Sequence, residues 1–434
     1  MNVFVYKIKT NPRFIKVFQW VRLISISGIA QVSVQGVNLL CGIFIIRLLS
    51  PNEYALYTIA NMMLSTMIVL AECDLSSAIM AQGSKYWSNP EKLGAVLATG
   101  FAVRKKLGII SVLIVTPILL YLLLHHDASW LASLLILAAL IPAFFASLTD
   151  TILEVPPKLR QDIIPLQKNQ LQASVARLVL TSVSVFLSPF TFVALLGAGI
   201  PRIWANFKLR KISSAYVSWN QKPDPLIEKD IMKFVKRVLP VAVYYSFSGQ
   251  LTIWLISIFG SVSSIAQVGA LGRLSSVLGI VNILFGMMVA PRFARLVNWR
   301  KLLFLKYVQV QTIMSILFLI IIGIVWLCSS EILWILGKSY SNLQSELVLS
   351  VIGSSLGLLA GCFYGLNSAR GWIINPIVSI VISVATIIAG VLIFDLSSLQ
   401  GILFFNILIG GSYFFTNALF GWFKIKRAPV NSDN

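Results

Sequence analysis

A stripe of polar side chains runs along one apolar segment of the amino-terminal half. Gln170, Ser174, Arg177, Thr181 and Ser184 follow at i, i+4, i+7, i+11 and i+14, so they share one face if the segment is helical. A charged side chain within an apolar span is costly, so Arg177 is expected to face a hydrated cavity, an acidic partner or an anionic ligand. The stripe therefore indicates an inward-facing polar face with Arg177 halfway along it.

The first apolar segment of the chain carries a second polar face. Gln31, Gln35 and Asn38 lie at i, i+4 and i+7 of an otherwise uncharged run. Three amides on one helical face are costly against lipid, so this face is expected to point toward the interior of the protein.

An acidic face precedes the stripe. Asp150 and Glu154 lie four residues apart, with Ser147 and Thr151 on the same side of the segment. One interpretation is a structural ion pair between Asp150 and Arg177, and the other leaves Arg177 to an anionic ligand in a hydrated cavity.

Three further charges lie within apolar segments or at their ends. Arg273 has no polar stripe around it, so it is either a second anion-binding group or an interfacial arginine that extends toward water. Glu72 and Asp74 are either interfacial charges or groups that bind and release a proton.

Metal and cofactor sites are not indicated. His125, His126 and Asp127 are consecutive, which predicts a solvated turn rather than a metal site. The four cysteines are scattered in apolar runs without a paired spacing and are expected to pack as small hydrophobic residues. No nucleophile with a base is found, so neither catalysis nor a cofactor is expected.

The composition explains what must position these residues. With 57% hydrophobic and 12% charged residues, the chain has too little polar surface for a soluble protein of 434 residues. The apolar runs lack period-two alternation, so they predict membrane helices rather than a barrel. The sequence therefore predicts an all-α integral membrane protein.

The apolar runs predict about twelve membrane spans. They are 24–46, 54–79, 107–124, 129–153, 165–187, 190–207, 238–259, 265–290, 307–330, 347–369, 371–394 and 396–423. With both termini in the cytoplasm, all 35 Lys and Arg residues except Arg47, Arg177, Arg273 and Lys338 fall in cytoplasmic segments or adjoining helix ends. The net charge of +20 is therefore attributed to membrane orientation and anionic lipids, and nucleic acid is not an expected partner.

The most basic loop lies near the middle of the chain. It predicts two six-helix lobes, 1–207 and 238–423, joined by a basic cytoplasmic linker, 208–237, and followed by a tail, 424–434. An even number of helices in each lobe makes the lobes parallel, and we expect a central cavity between them.

The first two spans form a hairpin. Arg47 ends the first span, and Pro51 and Glu53 lie in a polar turn before Tyr54 begins the second. Tyr54 and Tyr57 are expected at the lipid interface.

The hairpin segment IIRLLSPNEYALYTIA resembles the signature that follows the first helix of polysaccharide-unit flippases. The segments KRVLPVAVYYSFSGQLTIWLISIFG, ALGRLSSVLGIVNILFGMMVAPRFARL and ILGKSYSNLQSEL are similar to later landmarks of that family, in the same order. The chain thus resembles the polysaccharide transporters of the multidrug/oligosaccharidyl-lipid/polysaccharide exporter superfamily. Ala55 departs from the pattern, where glycine is usual.

The resemblance implies a flippase of the bacterial inner membrane with the two-lobed architecture of MATE transporters. It would move an undecaprenyl-diphosphate-linked oligosaccharide, such as an O-antigen repeat unit, to the periplasmic leaflet by alternating access. In that function the diphosphate would bind to Arg177 first and Arg273 second. The glycan would contact Gln31, Gln35, Asn38, Gln170, Ser174 and Thr181. Its partners would be that lipid-linked glycan, membrane lipids and polysaccharide assembly proteins. The alternatives are a drug or small-molecule exporter of the same superfamily and a membrane polymerase or glycosyltransferase of the glycan pathway.

Overall fold

The structure is a computed structural model that describes residues 12–427, except 74, 161, 290–292, 294, 295, 297, 298, 371 and 373. The described secondary structure is helical throughout, which confirms the predicted all-α class. The helices of the amino-terminal half are α1 Pro12–Leu48, α2 Pro51–Glu72, α3 Leu75–Gly83, α4 Pro90–His125, α5 Trp130–Leu153, α6 Val155–Leu159, α7 Ile163–Leu187 and α8 Thr191–Ser213. Those of the carboxy-terminal half are α9 Pro225–Phe259, α10 Val262–Ser275, α11 Gly279–Met288, α12 Arg300–Leu327, α13 Ser329–Leu336, α14 Gln344–Ala369, α15 Pro376–Ile393 and α16 Leu399–Lys426.

Ten stretches of helix are long and apolar enough to cross a membrane within the described residues. Together they make the chain a multi-pass membrane protein. The helices α8 and α9 are not among the ten, and the count of twelve crossing helices stays a prediction. The division of the stretch after Ile163 into two helices is nevertheless present, because α7 ends at Leu187 and α8 begins at Thr191.

Several helices begin or end away from the predicted positions. The predicted span 54–79 is interrupted after Glu72, where Cys73 adopts a left-handed conformation with φ 40° and ψ 39°. The predicted span 265–290 is divided by a short 3-10 turn at Ser276–Leu278.

The basic linker is largely helical. The helix α8 extends to Ser213 and α9 begins at Pro225, so only 214–224 of the predicted linker is outside a helix. Charged residues near a membrane surface can continue a helix. The apolar pattern used to predict the spans therefore ends before the helix does. The division into two lobes remains a prediction.

The helix α2 lies at the centre of the packing. It contacts α4, α5 and α8 of the first half and α9 and α10 of the second. Most of its side chains are buried, including Met63 and Met67. Because α2 contacts both halves, it fixes the position of the first half against the second.

Candidate functional site

A cavity of about 360 Å³ lies among α1, α2, α5, α7 and α8. Its polar lining includes Gln170, Ser174 and Arg177 from α7, Asn38 from α1 and Asn61 from α2. Three residues of the polar stripe and one residue of the first-helix face therefore line the same cavity. The prediction placed the cavity between the two lobes, whereas this cavity lies within the amino-terminal half.

Arg177 is half-buried in this cavity. Its Nε atom is buried and has no hydrogen-bond partner within the described part of the chain. A buried guanidinium nitrogen without a partner is costly in a membrane protein, so its environment favours an added acceptor. Arg177 is thus placed to receive an anion.

Asp150 lines the cavity but does not form the ion pair considered from the sequence. Its Oδ2 accepts from Arg202 Nε at 3.2 Å, and its Oδ1 accepts from Asn206 Nδ2 at 2.7 Å. The Asp150–Arg177 pair is therefore absent in this structure. The physical reason is that α8, which follows the stripe helix, brings Arg202 and Asn206 to the same carboxylate.

Glu154 is held by two neighbours at the edge of the cavity. Lys158 forms an ion pair with it at 2.6 Å, and Gln170 Nε2 donates to it at 3.2 Å. Gln31 Nε2 in turn donates to Gln170 Oε1 at 3.2 Å. Gln31 therefore acts on the cavity through Gln170, and these bonds connect α1 with α7.

These contacts determine the charge balance of the lining. Asp150 pairs with Arg202, and Glu154 pairs with Lys158. Among the described lining residues, Arg177 is then the charged group without an ion-pair partner. The two carboxylates and the two arginines of the lining balance in charge, and Lys158, outside the lining, adds one positive charge beside Glu154.

The outer end of the stripe packs between helices instead of lining the cavity. A Cβ added at Gly197 of α8 would lie 2.8 Å from Ser184 Oγ and 2.9 Å from Thr181 Cα. Thr181 is fully buried, and its hydroxyl has no partner among the described residues. This close approach holds α7 and α8 together above the cavity.

Two other predicted ligand residues lie elsewhere. Gln35 is half-buried on α1 and is not among the lining residues that the structure describes. Arg273 packs along Gly42, where an added Cβ would lie 3.4 Å from its Cδ, and its Cζ lies 6.0 Å from the centre of the Tyr57 ring. Arg273 thus belongs to the contact between the first hairpin and α10.

Glu72 forms a buried ion pair that the sequence did not indicate. Arg104 Nη1 lies 2.7 Å from Glu72 Oε2 and also donates to Leu148 O and Thr151 Oγ1, each at 2.7 Å. Thr151 lines the cavity, so this pair supports the cavity wall from behind. Asp74, the other carboxylate considered, lies outside the described residues.

The hairpin residues connect distant helices. Glu53 Oε2 accepts from the Thr191 backbone N–H at 2.6 Å, at the start of α8. Arg47 donates to Trp334 O and Ile335 O, each at 2.6 Å, at the end of α13. Pro51 is the first residue of α2, as the hairpin requires.

The hairpin tyrosines are not at the lipid interface, and that prediction was wrong. Tyr54 and Tyr57 are both buried, with ring centres 6.0 Å apart. They pack inside the contact among α1, α2 and α10 because Arg273 lies against them.

The turn after α4 is also more buried than predicted. His126 is buried, and its Nε2 donates to Ser257 O at 2.8 Å. Burial lowers the pKa of His126, and the bond to the Ser257 carbonyl opposes this effect. His125 and Asp127 are exposed, as expected of a solvated turn, whereas His126 forms a contact between the two halves of the chain.

Three polar lining residues were not predicted from the sequence. Asn61 lies in an apolar segment with Thr58 and Ser65, Asn169 lies beside Gln170 but outside the spacing of the stripe, and Arg202 follows Pro201 at the edge of the basic loop. A signal for Arg202 exists, because Ala198, Arg202, Ala205 and Leu209 have the same i, i+4, i+7, i+11 spacing as the stripe.

The fold has known structural counterparts, although no protein-family profile and no curated protein sequence matches the chain. The chain is similar to an inward-facing multidrug resistance MATE family transporter of the MOP superfamily, with a TM-score of 0.72 and 15% identity over 92% of this chain and 98% of that one. This chain has the MATE transporter fold. An outward-facing structure described in the same terms gives a TM-score of 0.59 with 14% identity, over 94% of this chain and 95% of that one. A MATE structure in complex with MaL6 gives 0.60 with 15% identity and the same coverage.

Proposed function

We propose that this protein is a flippase for an oligosaccharide linked to a polyprenyl diphosphate, such as an O-antigen repeat unit. It acts in the bacterial inner membrane with both termini in the cytoplasm. The two lobes move so that the cavity opens alternately toward the cytoplasmic and the periplasmic leaflet. The partners are the lipid-linked glycan, the membrane lipids and the proteins that assemble the polysaccharide.

One observation carries the proposal: Arg177 lines a cavity within a membrane protein and has a buried Nε without a partner among the described residues. A diphosphate supplies acceptors of high charge density, and guanidinium–phosphate bonds are among the strongest hydrogen bonds in proteins. The headgroup therefore binds with its diphosphate at Arg177.

The polar groups around Arg177 suit the sugar that follows the diphosphate. Asn38, Gln170 and Ser174 offer amides and a hydroxyl, and Asn169 presents a buried Oδ1 that has no partner among the described residues. The cavity volume is within the range of small-molecule sites, about 300–1,000 Å³. It accommodates the diphosphate and the first sugar, and the rest of the glycan extends toward the basic loops.

Asp150 and Glu154 favour a second candidate, which is export of small organic cations. Two carboxylates line the cavity, and structural counterparts are described as multidrug resistance transporters. In that function Arg177 would oppose the substrate and the carboxylates would bind it. Variants of Arg177 should therefore remove transport under the first candidate, and variants of Asp150 or Glu154 should remove it under the second.

The experiment is complementation of a deletion strain, with measurement of surface polysaccharide and of accumulated lipid-linked repeat units. Arg177→Ala should abolish export while the protein still inserts, and Arg177→Lys should retain part of it. Arg210→Ala is the matched control, because the exposed Arg210 lies over the half-buried Trp219 ring at the basic end of α8. Normal surface glycan with Arg177→Ala would refute the proposal. Loss of drug tolerance with normal glycan in the deletion strain itself would favour the second candidate.

A further inference from the structure

Arg202 is bound to Asp150 by a single contact. The Nε atom of Arg202 donates to Asp150 Oδ2 at 3.2 Å, and this is its one ion-pair contact among the described residues. The side chain of Arg202 is 45% exposed, whereas that of Asp150 is 20% exposed. A guanidinium offers five N–H donors in a planar fork, so most of its donors are free for another acceptor.

The second oxygen of Asp150 is held independently. Asn206 Nδ2 donates to Asp150 Oδ1 at 2.7 Å and to Thr149 Oγ1 at 2.5 Å. Asp150 is therefore fixed to its own helix and to α8 even without Arg202. The Asp150–Arg202 contact is consequently separable from the packing that positions the carboxylate.

We infer that Asp150 occupies, in this structure, the place of a substrate phosphate at Arg202. This inference rests on the proposed function. On binding, the diphosphate displaces the Asp150 carboxylate from Arg202 and is held between Arg202 on α8 and Arg177 on α7. Arg202 is thus a second anion-binding residue, and Asp150 is an internal competitor that keeps the site from binding weaker anions.

The geometry supports such an exchange. Arg177 and Arg202 line the same cavity, and Ala198 and Gly199 keep the α8 wall beside Arg202 free of large side chains. A partly exposed ion pair with a single bond is weak, whereas a phosphate accepts two parallel bonds from an arginine. A diphosphate therefore displaces the Asp150 carboxylate from Arg202. A ligand with a single carboxylate does not, because it would form no stronger bond to Arg202 than Asp150 does.

The experiment measures binding of geranylgeranyl diphosphate to the purified full chain in detergent, by tryptophan fluorescence, with geranylgeraniol as the ligand without phosphate. Asp150→Asn removes the competitor and should lower the Kd about two- to fivefold. Arg202→Gln should raise the Kd at least about tenfold. The double variant should bind like Arg202→Gln alone, because the competitor acts only through Arg202.

Matched controls separate this effect from changes of net charge. Asp230→Asn and Arg210→Gln alter the same charges at the basic end, away from the cavity, and should leave the Kd unchanged. Weaker or unchanged binding by Asp150→Asn, or unchanged binding by Arg202→Gln, would overturn the inference. The proposed function would remain intact in that case if Arg177→Ala fails to bind the diphosphate. A wild-type protein that does not distinguish the diphosphate from the alcohol would overturn both.

Discussion

The buried pair behind the cavity gives a stability prediction that can be worked from the structure. The side chain of Arg104 is 2% exposed and that of Glu72 is 21% exposed. Loss of one partner of a buried ion pair costs about 3–5 kcal/mol, because the other charge is left without compensation. Glu72 is partly exposed, and it keeps a 3.4 Å bond from the Ser76 N–H. We therefore expect Arg104→Met to lower the free energy of unfolding by about 3 kcal/mol.

The reciprocal change gives the second arm of the cycle. Glu72→Met leaves the Arg104 guanidinium buried, and its Nε and Nη2 already have no partner among the described residues. It should cost at least as much as Arg104→Met. The double variant should lie within about 1 kcal/mol of the wild type, because two apolar side chains of similar length replace a poorly satisfied pair. SDS titration in mixed micelles, followed by tryptophan fluorescence, measures the three free energies. Additive losses in the double variant would refute this reasoning.

Two further predictions concern helix contacts. Gly197→Ala should lower the free energy of unfolding by about 1–3 kcal/mol, since the new Cβ would lie 2.9 Å from Thr181 Cα. Gly323→Ala is the control, because a Cβ added at Gly323 would have no atom within 4 Å. Equal stability of the two variants would contradict the close contact between α7 and α8. The lowered pKa of His126 means that the unfolded chain binds the proton more readily, so stability should be full above the ordinary histidine pKa of about 6.5 and fall as the pH drops below it. Thermal unfolding in detergent from pH 8 to 5 should show a smaller decline in His126→Gln, and an identical decline would exclude this histidine as the cause.

The sequence predicted the elements and the polar stripe because both depend on local pattern. Ser50 and Pro51 determine the start of α2, and the Ser50 Oγ accepts from the Glu53 N–H at 3.3 Å. The spacing from Gln170 to Arg177 determines a shared face in any helix, so these residues reached the cavity together. The MATE fold expected from the resemblance is also found, whereas the substrate family remains a prediction.

The sequence did not predict the partners of the charged residues, because these depend on helices that are distant along the chain. Arg104 was assigned to a cytoplasmic cluster, yet α4 begins at Pro90 and carries it about 21 Å into the helix. Arg202 was likewise counted with the cytoplasmic charges at a helix end, yet it takes the place beside Asp150 that Arg177 was considered to occupy. Charge counts along a sequence cannot separate a loop arginine from one within a long helix.

The central claim is that Arg177 binds the diphosphate of a lipid-linked glycan inside the amino-terminal half. An experimental structure of the protein with a polyprenyl-diphosphate oligosaccharide tests it most directly. The account predicts phosphate oxygens within hydrogen-bonding distance of Arg177 Nε, with the first sugar against Gln170 and Asn38. A headgroup bound elsewhere, with Arg177 still unliganded, would contradict it.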